Sequence, residues 1–279
     1  MSTPKPVAPF QPQETVPAVY PALTTIFLTG ATSGIGLALA QRMLKEGKTV
    51  ITTARSAEKL KAAQELAPGL VGYMLDMTTG DKVVGSVVDQ IIKDYPQLDA
   101  VICNAGIQKT LYFNDAANLP DPNSTWKLEI ETNITSVLSL IQMLLPHFLA
   151  KDSPCAIMTV TSGLAFIPSA DYPIYNATKA FIHSYSMTLR HQLRKTNVSV
   201  VEIIPPAVQS NLNPEHREAH PERASMYMPL DVYADDVLEK LRGTDGQSFD
   251  EITSGFSEAG CGYARAFIRQ RFQMLNPSN

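Results

Sequence analysis

TIFLTGATSGIG, residues 25–36, starts as a short apolar run, reaches a glycine, and passes two more glycines into the amphipathic stretch IGLALAQRMLKEG. An apolar run closed by glycine reads as a buried strand. The stretch after it has helical spacing, with Gly47 as its stop. Gly30, Gly34 and Gly36 therefore fall in the turn between a first strand and a first helix. Glycines there let the backbone turn tightly and approach a phosphate, which the N–H groups opening the helix would hold. The spacing G-x-x-x-G-x-G differs from the G-x-G-x-x-G fingerprint, so position rather than pattern carries the reading. A glycine turn that packs helix on strand is the alternative.

The alternation continues outward from this turn. TVITTA (49–54) reads as strand and SAEKLKAAQEL as a helix capped by Ser56. LVGYMLD (70–76) is strand, 80–95 helix, LDAVICNAG (98–106) strand, and 123–150 one long helix. CAIMTVTS (155–162) is strand, most of 173–194 helix, and VSVVEIIPPA (198–207) strand. Beyond Pro206 the pattern loosens into a loop over about 207–230, then helix-like VYADDVLEKLRG and GYARAFIRQRFQML. Continuously apolar strands separated by helices imply an α/β fold, a parallel sheet covered on both faces. No composition shift divides residues 23–279, which are expected to form a single Rossmann-type domain. Residues 1–22 are proline-rich and aperiodic, an arm expected to be disordered or to lie over the body.

Composition narrows the class of protein. The 279 residues are 44% hydrophobic and 18% charged, with net charge -4. No basic cluster is long enough to track a nucleic-acid backbone. Cys103, Cys155 and Cys261 are sparse and lack metal spacing, which predicts a reducing, cytoplasmic setting and no metal. The N-terminus has no continuous apolar core of a signal peptide. Sequons at Asn123, Asn133, Asn176 and Asn197 are therefore expected to be idle. The run VLSLIQMLLPHFLA (137–150), broken by Gln142, Pro146 and His147, reads as too short and polar to span a bilayer.

In an open parallel sheet, ligands bind beyond the carboxyl ends of the strands. The glycine turn, with Thr32, Ser33 and Ile35, is the candidate pyrophosphate site. The second strand ends in Ala54-Arg55, with no acid to accept a ribose 2′-hydroxyl. A guanidinium there can pair a 2′-phosphate, which favours NADPH over NADH. A surface arginine at a helix start is the alternative. Asp76 and Met77 follow the third strand, where the carboxylate would meet an adenine edge; Asn104-Ala105-Gly106 end the fourth. Pro205, Val208 and Ser210 follow the sixth and are assigned to the nicotinamide side.

YPIYNATKA (172–180) supplies the chemistry. Tyr175 and Lys179 are four apart and share a helix face; Tyr172 is too far from Lys179 to do so closely. Ser162 ends the fifth strand and Asn133 lies in the long helix before it. A carbonyl that receives hydride needs a proton. A phenol has a pKa near 10, which an ammonium about 4 Å away is expected to pull down by up to roughly three units. A serine hydroxyl can hold the carbonyl oxygen, and an asparagine can hold a water that restores the proton. A serine hydrolase would need a base beside Ser162, and no histidine has an evident place there.

TGATSGIG, NAG, Asn133, Ser162 and YNATK, in this order, resemble the short-chain dehydrogenase/reductase family over about residues 24–210. SGLAFIPSADYPIYNATKAFIHSYSMTLRHQL and IIPPAVQSNL further resemble a branch named for an oxidoreductase of the D-alanine lipoteichoic-acid operon. The resemblance implies a doubly wound seven-stranded sheet and NADP(H). It makes Tyr175 the general acid/base and Lys179 its pKa partner and a nicotinamide-ribose ligand. Ser162 would orient the carbonyl and Asn133 anchor a relay water. It also implies a homodimer or homotetramer joined through the two long helices. Pro205-Pro206 departs from the family's Pro-Gly, and Ser210 stands where a threonine is frequent.

The expected function is NADPH-dependent reduction of a small, mainly apolar ketone or aldehyde, reversible as an alcohol dehydrogenase. An isomerase, dehydratase or cyclase on this fold, acting without net redox turnover, is the alternative; a nucleotide-sensing protein is a further one. Gln108, Phe166, Ile167, Tyr172, Pro206 and Met226-Tyr227-Met228 are the candidate pocket walls.

Overall fold

The computed structural model describes residues 15–114 and 125–276. Seven strands form one parallel sheet: β1 (Thr25–Leu28), β2 (Thr49–Ala54), β3 (Val71–Met74), β4 (Ala100–Cys103), β5 (Cys155–Val160), β6 (Val198–Ile204) and β7 (Glu251–Thr253). Their order is β3-β2-β1-β4-β5-β6-β7. Ile26 of β1 pairs with Val50 on one side and Ala100 on the other. The chain thus runs outward from β1 in both directions, and the glycine turn leaves the sheet where the order reverses.

Side chains alternate across each strand, so β1 feeds two cores. Ile26 and Leu28 pack with Leu39 and Met43 of α1 (Gly34–Lys45), Ala63 of α2 (Ala57–Leu66) and Tyr233 and Val237 of α6 (Leu230–Arg242). Phe27 packs on the other face with Val84 and Val88 of α3 (Asp81–Asp94) and with two longer helices, α4 (Thr125–Ile130 continued by Ser136–Leu149) and α5 (Pro173–Leu193). Those helices contribute Val137, Leu140 and Leu144 from α4, and Ile182 and Leu189 from α5. This is the doubly wound α/β sheet expected from the sequence.

α4 departs from a regular helix. Thr125–Ile130 and Ser136–Leu149 are joined through a π-helical turn, Glu131–Thr135, in which Ser136 N–H donates to the Glu131 carbonyl. The expected start at 123 lies outside the described residues. Trp126–Leu149 is long and apolar enough to cross a membrane by length and composition, unlike the shorter run read from the sequence. Its Val137, Leu140, Leu144 and Phe148 are nevertheless buried in the core beneath the sheet, as in a core helix.

Two parts of the chain escape the periodicity. β7 is three residues long, and its neighbour α7 (Gly262–Leu275) is tied to it by Arg265 and Arg269, 2.7 and 2.6 Å from Glu251. The described end of the N-terminal arm lies over the body. Val16–Pro17 pairs antiparallel with Gln247–Ser248, and buried Tyr20 donates to Glu46 at 2.7 Å. Cys103, Cys155 and Cys261 are buried and unpaired.

Candidate functional site

A cavity of about 760 Å³ lies along the carboxyl ends of the strands, from β2 and β3 across to the segment after β6. Its floor is the glycine turn. Gly30 and Gly34 have φ of +71° and +53°, where side chains are strained, and a Cβ on Gly36 would stand 2.4 Å from the Gly30 carbonyl oxygen. The turn is braced from β4. Asn104 Nδ2 donates to the Thr29 and Gly30 carbonyls (3.0 and 3.4 Å), while Thr29 Oγ1 accepts from the N–H groups of Asn104 and Ala105. Thr32, Ser33 and Ile35 line the cavity with the glycines.

At one end, Arg55 projects from the end of β2, exposed and lining the cavity. Ser56 caps α2 by accepting from the Lys59 N–H at 3.2 Å. Lys59 lines the same end, a second cation that sequence reasoning missed; its place three residues after a cap was the available signal. Asp76 and Met77 line the wall beneath β3, with Asp76 Oδ1 accepting from the Thr78 N–H and hydroxyl (3.0 and 2.7 Å).

At the other end the structure gathers Ser162, Tyr175 and Lys179, all buried and all lining the cavity. Pro173 opens α5 and sets Tyr175 in its first turn. Ser162 leaves β5, and its Oγ accepts from the Leu164 N–H at 3.1 Å. Burial holds the Tyr175 phenol above its usual pKa; the Ser162 hydroxyl pulls the other way and the Glu129 charge adds to the rise. Burial also lowers Lys179 to about 8, against the opposing influence of Cys103 and Glu202. Lys179 Nζ donates to the Val160 carbonyl at 2.8 Å and lies 5.4 Å from the Tyr175 ring centre. The expected fall of the phenol pKa under the ammonium is therefore corrected: desolvation dominates, and the lysine is turned toward a main-chain carbonyl.

Asn133 is adjacent to this group without lining the cavity. It lies in the π turn of α4, buried, with its side chain fully engaged. Oδ1 accepts from the Ile107 N–H (2.9 Å), and Nδ2 donates to the Ile107 carbonyl (2.9 Å) and Thr178 Oγ1 (3.1 Å). The side chain thus fixes the wall after Gly106. One turn earlier on α4, buried Glu129 accepts from the Lys109 N–H at 3.0 Å, while its Oε2 has no hydrogen-bond partner among the described residues. Burial raises its pKa to about 7.

Beyond β6 the chain folds back over the cavity. The Pro205 carbonyl accepts from Gly163 N–H at 2.9 Å, which fastens this segment to the Ser162 loop. Ser210 comes within 3.4 Å of a Cβ placed on Gly34, and Val208 is buried beside it. Gln108, Tyr172, Pro206, Met226 and Tyr227 line the cavity as expected. Phe166, Ile167 and Met228 do not line it. Phe166 packs edge-on against His183, ring centres 4.5 Å apart; Ile167 is exposed; Met228 packs against the sheet's first core. Arg217, Arg223 and Phe256 line this end unannounced by any pattern.

Residues 24–221 match the short chain dehydrogenase family, and the chain belongs to it. It is 40% identical over 254 residues, 90% of this chain and 96% of the other, to the uncharacterized oxidoreductase DltE of Bacillus subtilis (strain 168). It is 34% identical over 182 residues to serine 3-dehydrogenase of Rhizobium radiobacter, covering 65% of this chain and 70% of that one. Serine dehydrogenase in a closed form complexed with NADP+ superposes with a TM-score of 0.71 at 21% identity, covering 83% of this chain and 94% of that chain. The protein is thus a short-chain oxidoreductase of the DltE-like branch.

Proposed function

We propose that the protein is an NADPH-dependent carbonyl reductase acting through Tyr175, with reversal as an alcohol dehydrogenase. The observation that carries the reading is one continuous cavity in which the glycine turn, Arg55, and the Ser162–Tyr175–Lys179 group all take part. The cradle fits a dinucleotide, because a Cβ on Gly30 or Gly36 would collide with main chain within 2.9 Å. The main chain of Ser33–Gly36 would hold the pyrophosphate at the α1 N-terminus. Arg55 and Lys59 would take the 2′-phosphate, Asp76 and Met77 the adenine side, and Pro205, Val208 and Ser210 the nicotinamide side. When bound, the reduced nicotinamide supplies the hydride, and with it both electrons.

The chain's own residues supply the rest. Ser162 Oγ holds the carbonyl oxygen. Tyr175 delivers the proton that turns the developing alkoxide into an alcohol. A phenol held above its usual pKa is fully protonated at neutral pH, the form that reduction requires. Lys179, at about 8, is largely charged at pH 7 and stabilises the tyrosinate left behind. Asn133 fixes the Gly106–Ile107 wall and keeps the role of anchoring the water that restores the proton. Reduction should therefore weaken above about pH 8, as Lys179 loses the charge that stabilises the tyrosinate.

The test is NADPH consumption over a panel of aldehydes and ketones, with NADH and Tyr175→Phe alongside. Turnover that prefers NADPH and falls about 10²- to 10⁴-fold in the variant supports the reading. Preference for NADH removes the Arg55 assignment, and turnover that survives Tyr175→Phe removes the acid.

A further inference from the structure

We propose that the substrate carries an anionic group, a carboxylate or sulfonate, which pairs with Arg217 while its carbonyl lies at Ser162 and Tyr175. This rests on the carbonyl-reductase reading and replaces the mainly apolar substrate expected from the sequence.

Besides Arg55 and Lys59, the cationic side chains that line the cavity are Lys179, Arg217 and Arg223. The carboxylate among the lining residues, Asp76, lies at the far end beneath β3. Lys179 is turned to the Val160 carbonyl. Arg223 is 3.1 Å from Asp171 and 3.9 Å from Glu222, which offset its charge. Arg217 differs from both. Its Nη1 donates to the Ser210 carbonyl at 2.9 Å, which orients the guanidinium, and among the described residues it has no carboxylate partner. A guanidinium has five donors in a planar fork, suited to two parallel bonds with a carboxylate or sulfonate. The turn that carries it is held across the cavity by Asn213 Nδ2, 3.4 Å from Thr110 Oγ1 in the segment after β4. A cavity wall rich in cations concentrates anionic ligands. A neutral substrate would leave this charge uncompensated.

The test uses a chain-length series of aldehyde acids, from glyoxylate to 6-oxohexanoate, each beside its methyl ester. At the fitting length the acid should have a KM at least about tenfold below its ester, the effect of one charge-assisted pair. Arg217→Ala should bring that ratio to about one, and Arg217→Lys should restore part of it, since the charge returns without the fork. Calorimetric titration of the NADP+-saturated protein with butyrate and hexanoate reads the same site without turnover; binding should be lost in Arg217→Ala. Esters equal to acids, or no carboxylate binding, would overturn the proposal. So would Arg217→Ala weakening NADPH, titrated by fluorescence, as much as it weakens the acid, because Arg217 would then serve the cofactor. If neither acids nor esters consume NADPH, the reductase reading fails while the calorimetry still decides the anion site.

Discussion

Glu129 shows how much a single buried carboxylate can shift with pH. It is fully buried, one of its oxygens has no partner among the described residues, and burial lifts its pKa from 4.5 to about 7. The folded state holds the proton between those values while the unfolded chain gives it up. Stability from this group is therefore full below pH 4.5 and falls as pH rises through 7. Glu129→Gln keeps an acceptor for the Lys109 N–H and removes the titration. Above pH 7 it should be more stable than the parent by on the order of 2 kcal/mol, and at pH 4 about equal, as denaturant melts at both pH values would show. Arg55 belongs to the same scale. Because it is exposed, Arg55→Ala should raise the KM for NADPH about tenfold, the low end for a charge-assisted bond, and leave that for NADH within twofold; steady-state kinetics with both cofactors checks it. Arg55 was legible as a charge where an acid would otherwise stand. Lys59, Arg217 and Arg223 were not, because lone cations on helices and loops look like solvated surface until the fold carries them to one cavity.

The element scale is where the sequence was most readable and where its reading had a limit. Six of the seven strands announce themselves as apolar runs, and the glycine turn announces its own position between β1 and α1. Gly36→Ala tests that turn: its Cβ would meet the Gly30 carbonyl oxygen at 2.4 Å, so a backbone shift is forced. The variant should lose roughly 1–3 kcal/mol of stability, as overpacking does, together with NADPH binding; thermal unfolding and fluorescence titration would show both. The π turn of α4 was illegible. Its one extra residue per turn leaves the apolar pattern on either side intact, so the sequence places Asn133 on one regular long helix. Once the turn is seen, Asn133 and Glu129 together clamp Ile107 and Lys109, the wall after β4. The three-residue β7 was illegible too, since so short a strand carries no periodicity.

At the scale of the molecule, the two cores flanking one sheet follow from strand alternation alone, and the C-terminus is fastened by charge. Glu251, buried on β7, has its pKa drawn down to about 2 by Arg269 and Arg265 against the upward pull of burial. Its stabilising contribution is full above pH 4.5 and is lost as pH falls through 2. Removing it takes away the buried carboxylate that Arg265 and Arg269 share, so Glu251→Ala should cost about 3 kcal/mol, read as a lowered melting temperature at pH 7. Leu128, Leu149 and Phe181 remain exposed on α4 and α5, the helices the family resemblance assigns to an oligomer interface. On the proposed reading, these parts bring a hydride donor and a protonated phenol to one carbonyl. The most direct measurement is the fate of label from NADPH deuterated at the transferring position, followed into the product by mass spectrometry. One deuterium on the carbinol carbon, and none when Tyr175→Phe replaces the parent, is the predicted result. A product of unchanged oxidation state that carries no deuterium would contradict it.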